Sequence, residues 1–126
     1  MIETAAIAAS IVLAGLSLFQ IALILGAPIG RFAWGGQHGV LPTKLRIASA
    51  SSILLYGIFS LIILSKAELI AIPVSGEIIA VFMWILAGYF CLGVIMNGIS
   101  RSKPERMLMT PIAAILAILF LYVALN

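Results

Sequence analysis

Charge is what this chain has least of: Asp, Glu, Lys and Arg make up 9% of its 126 residues, against 64% hydrophobic ones. A soluble domain carries about 25% charged residues to keep its surface in water, so a soluble globule is excluded. The mean hydropathy of +1.30 agrees. Cysteine is almost absent too. Cys91 has no second cysteine to pair with, and a lone thiol in an apolar run acts as a small packing residue. Its presence says nothing about redox compartment. His38 is the only histidine, so no His/Cys cluster with ligand spacing exists and no metal is expected. The chain also lacks a phosphate loop with Lys-Ser/Thr, a GxSxG elbow and an HExxH helix. Neither cofactor nor metal is therefore expected.

What is present is length in apolar runs. Four blocks stand out, Thr4–Gly26, Ile47–Leu64, Glu77–Gly98 and Met107–Leu125. A hydrocarbon core about 30 Å thick needs roughly 20 apolar residues per helix, and four such helices take up nearly all of residues 1–126. The expected fold is an all-α, four-helix transmembrane bundle forming a single domain. The first block is expected to be a retained span. It opens on Met1-Ile2-Glu3-Thr4, without the basic n-region of a signal peptide, and its apolar run is too long for one.

The connections carry the turn signals and the charge. Gly26-Ala27-Pro28 stops the first span, and the loop to Arg46 is glycine-rich. Thr43, after Pro42, is the expected N-cap of the second span. Ser65-Lys66-Ala67-Glu68 interrupts that span, and 65–73 reads equally as a helical extension or an interfacial segment. Glu77 suits the first turn of the third span, where a carboxylate meets the positive helix end. Ser102 and Glu105 have capping-box spacing, with Pro104 tolerated between them. Pro111 predicts a local kink in the fourth span.

Six of the seven bases lie in two loops: Arg31, Lys44 and Arg46, then Arg101, Lys103 and Arg106. Only Lys66 lies on the other side. Such a bias over short loops is a positive-inside signal, so loops 27–46 and 99–106 are expected in the cytoplasm and both termini outside. The net charge of +3 has the same explanation. Bases beside spans meet lipid headgroups, no basic stripe is interleaved with aromatics, and no nucleic-acid partner is expected.

Polar residues gather at the same end of the spans. Gln20, Ser49, Ser51, Ser52, Asn97 and Thr110 all fall there, contributed by all four helices. They read either as a polar vestibule or as the hydrogen-bonding glue of packed membrane helices. Ser49, Ser52, Tyr56 and Ser60 share one face of the second span, lining a cavity or back-bonding to their own carbonyls. Trp34-Gly35-Gly36-Gln37-His38-Gly39 is a ligand loop or an interfacial loop anchored by Trp34. His38 would need Glu105, the only carboxylate on that side, to serve as a general base. No Asp, Glu, Lys, Arg or His stands in the middle of any span, where proton-coupled carriers place their coupling group.

The run Ser100-Arg101-Ser102-x-x-Glu105-Arg106-x-x-Met109-Thr110-Pro111, with Gly-Ala-Pro-x-Gly and Trp-Gly-Gly-Gln, resembles small four-span bacterial membrane proteins without an assigned activity. The resemblance implies a four-span fold in a bacterial inner membrane. The small multidrug-resistance transporters are similar in size and span number. They carry a membrane-embedded Glu in the first span, and this chain departs from them in having only Glu3, at the very end. DoxX-like and sterol-isomerase-like bundles are similar in outline, without their acidic residues finding positions here.

The expected function is binding, or helping to move, a small neutral or amphipathic ligand from the cytoplasmic side, through Gln20, Trp34, Gln37, His38, Ser52, Asn97 and Arg101. The alternatives are an accessory subunit of a larger membrane complex and a small lipid-modifying enzyme using His38 and Glu105. The partners are the bilayer, a small amphipath or lipid, and a second copy or a larger complex. Orientation is directly testable. A Lys103→Cys variant should react with an impermeant thiol reagent only after the cytoplasmic face is opened, and labelling only from outside would overturn the assignment.

Overall fold

The computed structural model describes all residues, Met1–Asn126. It holds four helices, α1 (Ile2–Ile24), α2 (Thr43–Lys66), α3 (Gly76–Gly98) and α4 (Lys103–Leu125), and no strand. Each is 23 or 24 residues long, about 35 Å at 1.5 Å per residue. All four are long and apolar enough to cross a membrane. The chain is an all-α, four-helix membrane bundle.

The helix ends follow from a few side chains. Gly26 (φ 94°) closes α1, with the Ala27 N–H donating to the Ala22 carbonyl and that of Gly26 to Leu23. This is the six-residue wrap that a left-handed residue permits. Glu68 (φ 62°) performs the same turn after α2, its N–H donating to Ser65 and that of Leu69 to Leu64. The left-handed backbone at Glu68 stops the helix, so 67–75 is a connection rather than an extension of α2.

At the N-termini, the Ser75 hydroxyl accepts from the Ile78 N–H at 3.3 Å. Thr43 does not cap α2. Pro42 takes the cap position in extended backbone, and Thr43 is the first helical residue. A proline there sacrifices no hydrogen bond, since the first N–H groups of a helix have no partner inside it. α4 stays one helix across Pro111; the proline removes one rung of the ladder without ending it.

α1 packs on α2 and α3 on α4, while α1–α4 and α2–α3 contacts close the ring. The solid core lies toward the chain termini. Ala5, Ala6 and Ala9 on α1 are buried there, with Ile63 on α2, Met83 on α3 and Phe120 on α4. Alanine lets helix backbones approach closely where lipid offers no hydrophobic drive. Below this core the α2–α3 seam is closed by rings: Phe59 meets Tyr89 at 5.5 Å and Phe90 at 5.8 Å between centroids. Phe90 in turn meets Phe120 at 4.9 Å.

Two of the loop bases serve the backbone. Arg46 donates from Nε to the Leu41 carbonyl (2.8 Å) and from Nη1 to Ile24 at the end of α1 (3.4 Å). Arg106 donates to the Ser100 carbonyl at 2.9 Å, just beyond α3. Charged-group hydrogen bonds contribute about 1.5–3 kcal/mol each. Arg46→Met should therefore lower the thermal midpoint in detergent, with helical content by circular dichroism unchanged before the transition.

Candidate ligand-binding site

The glycine-rich loop does not hang away from the bundle. Two short 3₁₀ turns, Gly30–Phe32 and Trp34–Gly36, fold it back against the ends of the helices. Ala33 and Leu41 are buried with Leu23 of α1, forming a second, small apolar cluster. The Gly30 N–H donates to the Gly39 carbonyl at 2.9 Å. A side chain at Gly30 would collide with the His38 carbonyl. Gly35 and Gly36 take φ of 75° and 71°, and Gly36 lies so close to Ser102 that a Cβ would overlap its side chain. Trp34 itself is left-handed at φ 51°, a conformation that costs a non-glycine residue of order 1–3 kcal/mol.

Side chains from the helices hold this arrangement. The Trp34 indole N–H donates to the Ser49 hydroxyl at 3.2 Å, and Ser49 is fully buried. Ser102 works in both directions, accepting from the Glu105 N–H at 3.3 Å and donating to the Arg31 carbonyl. Only half of the expected capping box forms. The Ser102 N–H donates to the Ser100 hydroxyl instead of to Glu105. The Glu105 carboxylate is diverted inward, accepting from the Ser100 hydroxyl and from the Gly35 N–H at 3.4 Å. Glu105 thus touches both loops while remaining 9% exposed.

Above this floor is a cavity of about 340 Å³. All four helices contribute, with Gln20 from α1, Ser52 and Tyr56 from α2, Asn97 from α3 and Glu105 from α4. Phe32, Ala33 and Trp34 of the loop close its end. The rings of Phe19, Tyr89 and Phe90 complete an aromatic lining. The cavity opens between α2 and α3. Leu92 and Met96 continue the face of α3 that carries Tyr89, and both line the cavity yet remain more than half exposed. The helices part there instead of packing.

The polar wall is unevenly committed. Ser52 donates to the Ala48 carbonyl, as Ser51 does to Ile47 and Ser60 to Tyr56. Those hydroxyls bond to their own helix. Asn97 donates through Nδ2 to Gly93 at 2.8 Å. Gln20 Oε1 is buried without a hydrogen-bond partner, as is the Thr110 hydroxyl between α3 and α4.

Of the residues predicted to bind, Gln20, Trp34, Ser52 and Asn97 line this cavity, and Gln37, His38 and Arg101 do not. Those three are exposed at the loop surface. His38 makes no side-chain hydrogen bond and no ion pair with Glu105, whose oxygens accept from Ser100 and Gly35. The proposed acid–base pair is therefore not assembled. Nor do three His, Cys, Asp or Glu residues converge anywhere in the chain. The sequence reading missed the aromatic wall, because Tyr89 and Phe90 read as ordinary span residues until α3 is set against α2. It also missed that Glu105 points into the cavity. Its capping-box spacing gave another use for the carboxylate.

No family model, curated protein or solved structure matches this chain.

Gly36 is the tightest point of the floor. Gly36→Ala combines a left-handed backbone with a collision against Ser102, and the backbone part alone costs about 1–2 kcal/mol. Limited proteolysis of the protein in detergent should cut the 27–42 loop faster in this variant, with the helices still protected.

Proposed function

We propose that this small multi-pass membrane protein binds a small amphipathic ligand in the cavity beneath its two basic loops. The loops lie in the cytoplasm on this reading, supported by the six-to-one distribution of Lys and Arg. The cavity then opens to the inner leaflet. The resemblance to small four-span bacterial proteins supports the bacterial inner membrane as its location.

One observation carries the reading: the bundle is solid toward the chain termini and hollow toward the basic loops, where each helix adds a polar side chain to a mostly apolar wall. An amide oxygen with no partner is costly in a low-dielectric interior. Gln20 Oε1 is in that state, and a ligand donor would satisfy it. The aromatic and aliphatic lining suits the apolar part of such a ligand, as in most small-molecule sites. The accessory-subunit reading draws on the exposed apolar faces of the helices, which contact with lipid explains by itself. The enzyme reading loses its basis with the His38–Glu105 pair.

Trp34 lines the cavity and Trp84 does not, so a Trp84→Phe protein reports the site through one indole. In phosphatidylcholine nanodiscs, n-decanol should change Trp34 emission along a saturable curve. Ala113→Phe, which fills the cavity from α4, should abolish saturation. A linear response, identical in both proteins, would show simple partition into lipid and refute the reading.

A further inference from the structure

Several acceptor atoms of the cavity are uncommitted. Gln20 Oε1 has no partner. Asn97 spends its Nδ2 donor on the Gly93 carbonyl, leaving its side-chain oxygen. Glu105 presents a carboxylate, which has about four acceptor positions and here receives two hydrogen bonds. The obvious donor of the wall, the Trp34 indole N–H, is taken by Ser49. Donors also line the cavity, in the Tyr56 hydroxyl and the Gln20 amide N–H, but none of them carries a positive charge to match Glu105.

It also offers negative charge without an internal counter-ion. The one ion pair of the protein joins the Met1 amino group to Glu3, at the opposite end of α1. The nearest bases in sequence do not neutralise Glu105. Arg106 turns to the Ser100 carbonyl, and Arg101 and Lys103 are exposed outside the cavity. A carboxylate only 9% exposed and facing a cavity is expensive unless paired. The same cavity is lined by six rings, Phe19, Phe32, Trp34, Tyr56, Tyr89 and Phe90. Aromatic faces attract cations and apolar groups alike.

We infer that the ligand of this cavity is an amphipathic amine in its ammonium form, its N–H groups received by Glu105 and Gln20 and its apolar part lying against the rings toward the α2–α3 opening. The inference rests on the binding reading above and narrows it from amphipaths in general to cationic ones. Lateral access fits such a ligand. An alkylammonium concentrates in the membrane interface, with its head at the level of the basic loops and its chain beside Leu92 and Met96.

The test compares three ten-carbon probes that differ in the head: n-decylammonium, n-decanol and decanoate. Each is titrated into the Trp84→Phe protein in phosphatidylcholine nanodiscs and read by Trp34 emission. The ammonium should bind at least about tenfold more tightly than the alcohol, the order of a charge-assisted hydrogen bond, and decanoate should not saturate. Glu105→Gln should bring the ammonium down to the affinity of the alcohol, removing the preference for the charged head. Because Glu105 also holds the loops, Gln20→Leu provides a second variant, away from them, which should reduce the ammonium preference several-fold. Equal saturable binding of ammonium and alcohol would overturn this inference and leave the binding site standing. A preference that survives both substitutions would trace to the bilayer and overturn it as well. No saturable response to any probe would remove both readings together.

Discussion

Irregular backbone at the edge of a bilayer is stable only if its N–H and C=O groups find partners within the protein. The glycine-rich loop is where this chain meets that constraint. Its carbonyls at Arg31 and Leu41 accept from Ser102 and Arg46, and its Gly35 N–H donates to Glu105. These partners come from the starts of α2 and α4, so the loop is drawn under the bundle. Everything notable at this end follows. Trp34 is carried beneath α2, where Ser49 fixes it, and the left-handed backbone at Trp34, Gly35 and Gly36 is the cost of threading the chain there.

The folded-back loop also accounts for the difference between the two ends. α2 and α3 are joined at the terminal end, where Ala67 and Ile79 are part of the core. At the other end nothing ties them directly. The Phe59–Tyr89–Phe90 rings join α2 and α3 along the seam, and beyond them α2 continues against α1, with Trp34 of the loop bonded to Ser49, while α3 continues against α4. Beyond the rings, small residues such as Gly93 and Ala113 line the space and leave it unfilled. A cavity is what remains when two helix pairs are clamped at one end and a loop takes the place of packing at the other.

The bundle itself was legible in the sequence because the bilayer makes a coarse demand, length and apolarity, which the four blocks meet openly. Boundaries were legible where a glycine or a serine forces them, as at Gly26, Ser75 and Ser102. Glu68 was not, since a left-handed glutamate has no signature in one sequence. The polar end was visible in Gln20, Ser52 and Asn97, whose heights along the spans follow from helical rise alone. The remote pairings were hidden. Trp34 with Ser49 and Glu105 with Gly35 join residues 15 and 70 positions apart, and periodicity carries no information about such contacts. His38 drew attention by its chemistry, yet it lies on an exposed turn of the loop.

The polar residues of the basic end divide by functional group, and this separates helix glue from ligand chemistry. The Thr110 hydroxyl has no partner, but hydroxyls can return a hydrogen bond to the carbonyl one turn back, and Ser51 and Ser52 do so. They are satisfied within their own helix and ask for nothing further. An amide has two ends, and one backbone carbonyl answers only its N–H end. Asn97 gives an N–H to Gly93 and keeps its oxygen, and Gln20 Oε1 is buried with no partner. A carboxylate has no donor end at all, and Glu105 accepts from both loops with capacity left over. The acceptor capacity left at Glu105, Gln20 Oε1 and the Asn97 oxygen is thus a consequence of which polar groups the helices can and cannot satisfy themselves.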